Sequence, residues 1–527
     1  VRVTDPDGNT DSGTAETVTV TVARATETTG ETVTLTETGA NTAVFMGSIS
    51  FGTGAVSSGD GILQVTAGDA ITGSYTDPAD GYGNEITVTD RANYGITLVS
   101  GTLSESTTWT ADNSYLVKGD LTIPNNVTLT IEPGVIVRFV KNSDEANTGY
   151  DNARTELYME SGSSLIAEGT STDSIYFMSD AESPEKGDWY GIGIKHNAYV
   201  DIHMSYVSFS NTRHGFSTGA DYDDIVFRGA DGDGLSIRNS SFRIIDQAVF
   251  NCEIKLWTGA QGIIKNNKFA NWDDMFVEYV NLYSNSFFHL DSNQFGTRNN
   301  EEWIIAEDFR IEDDSSRVWV TNNTFNSRDD DIDFSCYTNS VRDYNFVIEG
   351  NNFKGDGDTE LRFYGSGAST GNYLIKNNVI DSASVLISYA NKALVQGNTI
   401  TNCTDSYTEG LEINSASAVI ENNTITGHKG TGLRVYISAD YEDVATDTIR
   451  NNIITGNNVY DHSTRAGIVV SGYGNPVFWY NDIYDNPLES EYHDLRVETG
   501  DLNGNLDARF NYWGTTTTNQ MNQGDNP

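Results

Sequence analysis

The chain has little proline and almost no cysteine, 8 and 3 of its 527 residues respectively. The cysteines, Cys252, Cys336 and Cys403, are odd in number and lie 84 and 67 residues apart. This excludes a disulfide framework and the ligand spacing of a zinc site. We expect the three side chains to be small, buried and apolar.

Basic residues are also scarce, with 31 Lys and Arg against 75 Asp and Glu, which leaves a net charge of −44. Such a charge repels nucleic acid and anionic membrane surfaces, so the sequence argues against both as partners. Cations are its natural counterpart. An acidic surface suits an extracellular, calcium-rich medium, and a merely solubilising surface is the alternative.

Long apolar runs are missing as well. No run approaches the roughly 18 residues that a membrane-spanning helix needs, so we expect no membrane insertion within this segment. The first residues, VRVTDPDGNT, read as strand and not as a charged and then apolar leader. We therefore expect a mature secreted protein, or a piece of a longer one, at the cell surface.

Residues 1–98 alternate threonine and valine in short runs, such as ETVTVTV at 16–22 and ETVTLTE at 31–37. β-branched alternation broken by Asp, Gly and Pro predicts an antiparallel sandwich of about seven strands. Two phrases, LTETGANTAVF at 35–45 and AGDAITGSYTDPADG at 67–81, resemble Ig-like modules of large secreted bacterial and archaeal surface proteins. The resemblance implies an Ig-like β-sandwich over 1–98.

From residue 99 onward the sequence pattern is different. The motif apolar-x-x-Asn-x-apolar is repeated, as in IKNNKF at 264–269. Its asparagines recur every 20 to 30 residues, with Ser240 in the equivalent place before the first. They are Asn267, Asn293, Asn323, Asn351, Asn378, Asn398, Asn423, Asn452, Asn481 and Asn511. One interval fits one coil of three short strands, and stacked coils pair each strand with its parallel equivalents.

The asparagines are predicted to be structural. A tight bend between two strands forces one residue toward the left-handed conformation, which Asn tolerates better than most residues. Stacked in register, the side-chain amides can hydrogen-bond along the pile as a ladder. We assign the cap and first coils to 99–210 and the ladder coils to 211–515.

Several phrases resemble the pectate-lyase-like parallel β-helices of secreted microbial proteins. They include NNVTLTIEPGVIVRF at 125–139, KGDWYGIGI at 186–194 and NYWGT at 511–515. The resemblance implies an all-β chain, in which the Ig-like sandwich is followed by a long right-handed parallel β-helix over 99–527. It does not decide the function, because this scaffold carries lyases, hydrolases, epimerases, adhesins and surface-layer components.

Acidic residues recur six to eight positions after several members of the repeat. Because adjacent coils lie about 4.8 Å apart, such carboxylates could chelate a hard cation, for which Ca²⁺ is the candidate. The predicted ligands are Asp273, Asp274, Asp329 and Asp330. Solvated turn carboxylates are the alternative.

The same separations bracket those of glycosidase carboxylate pairs. The catalytic alternative uses Asp329, Asp330 and Asp331, with Arg310 and Arg328 as the basic groups that a lyase would need. The His and Arg-Lys motifs that accompany such acids in β-helix hydrolases are absent. The sequence therefore leaves an enzymatic role open but leans against one.

The segment DPDGNTD offers Asp5, Asp7, Asn9 and Asp11 at alternating positions, which resembles one wall of a calcium loop. It lacks the distal bidentate Glu and has its Gly early. A plain hairpin turn is the alternative.

Four tryptophans fall within a few coils of the acidic positions: Trp257, Trp272, Trp303 and Trp319. Indole rings stack on the flat apolar faces of sugars, so these residues are candidates for glycan binding. Packing between coils is the alternative.

The leading hypothesis is an extracellular structural or adhesive module of a surface layer, filament or adhesin, associated with calcium. Its partners would be further copies of the chain or extracellular glycans. The rival hypothesis is a polysaccharide lyase or glycoside hydrolase, or a non-catalytic glycan binder, that uses the side groove of the β-helix.

Overall fold

The computed structural model describes most of the chain and divides it into two compact units. The first unit comprises Val1–Val99, Trp109–Leu116 and Val135–Arg138, and the second comprises the rest. The described residues are 1–66, 69–79, 83–111, 113–219, 224–228, 234–270, 275–296, 304–326, 331–338, 343–365, 371–404, 409–441, 447–458, 466–486, 494–498 and 506–515. Across these ranges no helix has the length and apolar character of a membrane crossing.

The first unit contains a six-stranded antiparallel sheet. In spatial order its strands are Arg2–Thr4, Val44–Met46, Glu27–Glu37, Thr17–Arg24, Ala70–Asp77 and Ile86–Asn93. A second sheet pairs Ser50–Gly52 with Ile62–Gln64 in parallel. The six-stranded sheet agrees with the antiparallel prediction, the parallel pair departs from it, and the Ig-like assignment stays a prediction.

Alternating apolar and polar residues build the core of this unit. In the strand Thr17–Arg24 the valines point inward and the threonines outward, as a period of two requires. Val20, Val22, Leu35 and Phe45 are buried together with Leu63 of the parallel pair. The two sheets thus share one apolar core.

Four strands have residues in both units. They are Ile96–Thr102, Thr107–Trp109, Ser114–Ile123 and Ile136–Phe139.

The rest of the second unit is a parallel β-helix with three faces, here called A, B and C. Each coil contributes one short strand to each face, and each strand pairs in parallel with its equivalents in neighbouring coils. The strands of face A are Thr128–Ile131, Ser164–Glu168, Asp201–Ser205, Leu235–Arg238, Gln261–Lys265, Phe287–Asp291, Arg317–Thr321, Phe346–Glu349, Asn372–Lys376, Lys392–Gln396, Ala418–Glu421, Thr448–Arg450 and Val477–Trp479.

Face B follows face A after a sharp turn. Its strands are Ile175–Ser179, Val207–Ser210, Ser241–Arg243, Lys268–Ala270, Gln294–Phe295, Thr324–Asn326, Asn352–Lys354, Val379–Asp381, Thr399–Thr401, Thr424–Thr426, Ile453–Thr455 and Asp482–Tyr484.

Face C completes each coil, and a branch of three strands, Ala198–Tyr199, Asp224–Arg228 and Glu253–Trp257, joins it at Met275–Leu282. Its remaining strands are Glu156–Met159, Gly191–Ile194, Phe216–Ser217, Phe250–Asn251, Ile304–Ile311, Ile332–Cys336, Glu360–Gly365, Ser384–Ser388, Leu411–Asn414, Leu433–Ile437, Ile468–Gly472 and Leu495–Val497. A 3₁₀ turn, Ala439–Tyr441, follows one of them.

The interior is filled by stripes of like residues. On face B, seven phenylalanines follow one another with ring centroids 4.7 to 5.6 Å apart. They run from Phe177 to Phe353, and buried isoleucines continue the stripe from Ile380 to Ile483. Cys252, Cys336 and Cys403 are buried thiols, as the sequence predicts.

The repeat asparagines form a continuous buried ladder between faces A and B. At Asn378, Oδ1 accepts hydrogen bonds from the backbone N and the Nδ2 of Asn351, at 2.9 and 3.0 Å. Its Nδ2 donates to Asn398 Oδ1 at 2.9 Å and to the Ile348 carbonyl at 2.8 Å. The amide therefore makes all four hydrogen bonds of which it is capable.

The same pattern runs through every predicted ladder position. It links Asn267, Asn293, Asn323, Asn351, Asn378, Asn398, Asn423, Asn452, Asn481 and Asn511. At its start, Asn267 Oδ1 accepts from the backbone N of Ser240 at 2.8 Å.

One prediction about this turn is wrong. The left-handed residue is the one before each ladder asparagine: Asn266, Asn322 and Asn377 have φ of 54 to 56°, and Gly350 has φ of 70°. The ladder residue itself is held by its buried amide. The left-handed residue faces away from the core. It is most often Asn or Gly, whose backbone tolerates this conformation, although Ser292, Tyr480 and Phe510 also adopt it.

A second, shorter ladder stands five residues further along the last coils. Backbone N of Cys403 donates to His428 Nδ1, and backbone N of His428 donates to Asn457 Oδ1, both at 3.2 Å. Asn457 Nδ2 then donates to Asn486 Oδ1 at 3.1 Å, and Asn486 Nδ2 to Asp494 Oδ1 at 2.9 Å. Burial lowers the pKa of His428 to about 4, so the ring is neutral and structural.

Candidate functional site

The outward side of face C carries ion pairs and aromatic rings side by side. Along its strands, Ile254, Val280, Phe309, Phe334 and Phe363 point into the core. Their neighbours therefore point outward. We call the outward side chains from Asp224 to Tyr364 the face C surface.

Two parallel rows form this surface. Register pairing places Asp224, Glu253, Tyr279, Asp308, Asp333 and Arg362 one above the next. The second row, two residues further along each strand, is Lys255, Asn281, Arg310, Ser335 and Tyr364. Adjacent members are one coil apart, about 4.8 Å between strands.

Asp308 lies at the centre and is almost fully buried, with 2% of its surface exposed. Ser335 Oγ lies 2.7 and 2.6 Å from its two carboxylate oxygens, and Arg310 Nε donates to Oδ2 at 2.7 Å. Burial raises its pKa to about 6, against the lowering effect of these donors. The carboxyl group therefore titrates close to neutrality.

Asp333 occupies the equivalent position in the next coil. Its Oδ1 accepts from Arg362 Nε at 2.6 Å and its Oδ2 from the Tyr364 hydroxyl at 3.2 Å. Arg362 also pairs with Asp331, at 2.8 Å. Burial raises the pKa of Asp333, and Arg362 opposes the shift.

Aromatic rings flank these ion pairs. The Arg310 guanidinium lies 4.0 Å from the ring centroid of Tyr279 and 5.9 Å from that of Tyr337. Trp257 is 38% exposed and stacks on Tyr283, with centroids 4.7 Å apart and planes inclined by 28°. Flat apolar surfaces thus lie beside charged hydrogen-bonding groups.

The end of the face C surface that comes first in the chain is a three-residue charge cluster. Lys255 Nζ lies 2.6 Å from Asp224 and 3.7 Å from Glu253. Asn281 Nδ2 donates to Glu253 Oε2 at 3.1 Å. Burial raises the pKa of Glu253, and the Asp224 carboxylate raises it further.

The predicted site residues are only partly brought together. Arg310, Asp331 and Trp257 lie on the face C surface. Trp319 lies on face A, where its ring makes an edge contact with Phe287. The predicted site residues that fall outside the described ranges are Trp272, Asp273, Asp274, Trp303, Arg328, Asp329 and Asp330.

The N-terminal acidic loop bonds to itself and to two side chains elsewhere in the first unit. Asp5 Oδ1 accepts from the backbone N of Asp7, and Asp5 Oδ2 from the Tyr75 hydroxyl at 2.6 Å. Asp11 Oδ1 accepts from the backbone N of Gly13, while Asn9 Nδ2 donates to the Asn41 side chain. The bonds to Asp7 and Gly13 are those of a turn, and the bonds with Tyr75 and Asn41 tie the loop to other strands and loops of the first unit. Calcium at the loop stays a prediction.

Among the residues that the structure describes, no group of three or more His, Cys, Asp or Glu side chains is arranged to hold a metal ion.

Asp308, Asp333, Arg362, Tyr279 and Tyr337 were missed by sequence reasoning, which sought acids at a fixed offset from the ladder asparagine. Asp308 follows Asn293 by 15 residues, whereas Asp333 follows Asn323 by 10. The offset varies because the connection between faces B and C changes length from coil to coil. The usable signal is the strand pattern itself, in which DFRI at 308–311 is followed by DFSC at 333–336.

Two family models match parts of the chain. The "Pectate-lyase like beta helix domain" matches residues 101–224, and the "Right handed beta helix region" matches residues 309–487. No curated protein matches the chain.

Two solved structures are similar to the chain at low levels. The mannuronan C-5 epimerase AlgE6 A-module of Azotobacter vinelandii is 11% identical over 68% of this chain and 83% of that chain, with a TM-score of 0.26. The DFA-IIIase of Arthrobacter chlorophenolicus A6, in complex with GF2, is 9% identical over 73% of this chain and 88% of that chain, with a TM-score of 0.22. Likeness at this level carries no activity over to this chain.

Proposed function

We propose that this chain, whose second unit is a right-handed parallel β-helix, binds carbohydrate on its face C surface as an adhesive module of an extracellular surface structure. The observation that carries the proposal is the half-exposed Trp257–Tyr283 stack beside two rows of charged and amide side chains.

Sugars are bound by both aromatic rings and charged or amide side chains. Their C–H faces pack against aromatic rings, and their hydroxyls donate to carboxylates and accept from guanidinium groups. Arg310 presents its guanidinium between Tyr279 and Tyr337, and Tyr337 is 38% exposed. Rows with a regular coil spacing suit a linear glycan that lies along the face.

The central acids favour binding over bond cleavage. Asp308 is paired with Arg310 and Ser335, and Asp333 with Arg362 and Tyr364. Charge-assisted hydrogen bonds of this kind fix side chains in place. A rigid, pre-formed surface reduces the entropy lost when a glycan binds.

The proposal is tested by affinity electrophoresis of the full chain through gels that contain neutral or acidic polysaccharides. Trp257→Ala should weaken binding about tenfold, which corresponds to ~1.4 kcal/mol, because the stacking platform is lost. Trp319→Ala on face A is the matched control and should change binding by less than about twofold. Equal loss in both variants, or no binding by the wild type to any glycan, contradicts the proposal.

Hydrolysis or elimination is the second candidate function, favoured by one observation. Asp308 and Asp333 stand in adjacent coils with the pKa of Asp308 raised to about 6, and carboxyl groups about 5 Å apart are typical of retaining glycosidases. Incubation with the bound polysaccharide, followed by assays for reducing ends and for unsaturated products, separates the two functions. Products that disappear in Asp308→Asn would select the enzyme.

A further inference from the structure

A separate polar cleft lies on face B and on the turn before it, away from the face C surface. Its volume is about 630 Å³, and it spans five coils. We call it the face B cleft. None of the functional predictions from the sequence falls in it.

Small side chains create the depression. Register pairing on face B aligns Tyr176, Ser208, Ser241, Lys268 and Gln294 in one outward row. The two serines leave a gap between the tyrosine at one end and the longer Lys268 and Gln294 at the other. At about 4.8 Å per coil, Tyr176 and Lys268 are roughly 14 Å apart along the axis.

The turn residues form the second wall of the cleft. Tyr206, Asn239, Asn266 and Ser292 line it in successive coils, each in the left-handed conformation. Asn266 Nδ2 donates to Asn239 Oδ1 at 2.6 Å, which orients both amides along the wall. The wall thus offers amide and hydroxyl groups at intervals of one coil.

The charge of the cleft is opposite to that of the chain. Its 14 lining residues include Arg243 and Lys268 but no Asp or Glu. Since 75 of 527 residues are acidic, a random set of that size would contain about two (14 × 75/527). Both cations are exposed, and neither has a salt bridge within the described part of the chain.

We propose that the face B cleft binds an anionic oligosaccharide, carboxylated or sulfated, through Arg243 and Lys268, with Tyr176 as its stacking ring. Tyr176 is 40% exposed at the end of the row. Arg and Lys provide charge-assisted hydrogen bonds to carboxylate or sulfate oxygens. A long polyanion such as nucleic acid is disfavoured, because the net charge of −44 repels it beyond the cleft.

The test is isothermal titration calorimetry of the full chain with three probes of equal length, an oligogalacturonate, a sulfated oligosaccharide and a neutral cello-oligosaccharide. With Trp257→Ala as the background, which removes the face C platform, at least one acidic probe should bind and the neutral one should not. The double variant Arg243→Gln, Lys268→Gln should weaken binding about tenfold or more, and Tyr176→Ala should weaken it by a smaller factor.

Lys354→Gln is the matched control, because Lys354 is an exposed cation on the same face outside the cleft. Unchanged affinity in the double variant overturns the proposal, as does equal weakening by Lys354→Gln. Inorganic sulfate that binds as tightly as the oligosaccharide overturns the assignment of a sugar. Trp257→Ala acts on face C and should leave this binding intact, so failure of the face C proposal is seen separately.

Discussion

At the scale of single residues, two buried carboxyl groups next to one another set a pH dependence. Asp120 and Glu156 lie on the paired parallel strands Ser114–Ile123 and Glu156–Met159, and both bond to residues of the loop 144–150. Asp120 Oδ1 accepts from the backbone N of Glu156 at 2.9 Å, and Asp120 Oδ2 from Thr148 Oγ1 at 2.8 Å. Glu156 Oε1 accepts from the backbone N of Tyr150. The two side chains thus hold this loop in place.

The pKa of Glu156 is raised to about 8, first by burial and then by the Asp120 carboxylate. Burial raises the pKa of Asp120 to about 6. Because both folded pKa values lie above those of the unfolded chain, the fold favours the protonated forms. Their contribution to stability is fully present below the unfolded values and is lost as pH rises through about 6 and then about 8.

We predict that Glu156→Gln flattens the loss of stability on going from about pH 5 to about pH 9. At about 1.4 kcal/mol per pKa unit the wild-type loss amounts to several kcal/mol, and the neutral amide does not titrate. Urea unfolding curves across this range measure it. Glu168→Gln, at an exposed position of face A, should keep the wild-type slope, and a Glu156→Gln slope equal to that of the wild type would count against the assignment.

At the scale of the structural element, the turn between faces A and B depends on two adjacent residues with different tasks. Asn377 is exposed and left-handed, with φ of 54°, whereas Asn378 is buried and makes the ladder bonds. Substitution of glycine at each position separates tolerance of the left-handed backbone from hydrogen bonding by the side-chain amide.

Asn377→Gly should be nearly neutral, because glycine accepts the left-handed conformation at no steric cost. Asn378→Gly should destabilise strongly, since it removes the acceptor of the Asn351 backbone N–H and of one Nδ2 hydrogen of Asn351, and the side-chain donor to the Ile348 carbonyl. Each unsatisfied group costs about 1–3 kcal/mol. Chemical denaturation of both variants measures the contrast, and similar losses in the two would refute the division of tasks.

Asn323 and Asn351 show how much of the fold the sequence could predict. Each follows an inward apolar residue by three positions and precedes another by two, and this local pattern recurs once per coil. Buried amides and inward apolar residues are repeated because every coil stacks on the last. The spacing of the asparagines along the sequence therefore predicts the parallel β-helix. The left-handed position was misplaced by one residue, because the phrase often contains two consecutive asparagines, as at Asn377 and Asn378.

At the scale of the whole molecule, the net charge of −44 makes the chain repel itself. We propose calcium as its counterion, and the loop of Asp5, Asp7, Asn9 and Asp11 as one place for it. Self-association into a layer or filament belongs to the same proposal, since neutralised surfaces approach one another more easily.

About 1 mM CaCl₂ should raise the thermal midpoint by a few degrees, and an equal concentration of MgCl₂ should raise it less, because Ca²⁺ accepts irregular carboxylate sites. Scanning calorimetry measures both. Asp7→Asn with Asp11→Asn should reduce the difference, because the loop loses two carboxylates. Equal effects of the two ions would leave screening alone as the explanation and contradict specific binding, and sedimentation in the same buffers reports on self-association.

The sequence by itself determined the all-β class, the parallel stacking of coils and the ladder positions, because these depend on contacts that repeat with the period of the chain. Only the tertiary structure decided which side chains share a surface. Asp308, Asp333 and Arg362 come together through strand register, after connections of unequal length that no fixed offset can follow. The same register aligns Ser208 and Ser241 between Tyr176 and Lys268, so the face B cleft exists only once the coils are stacked.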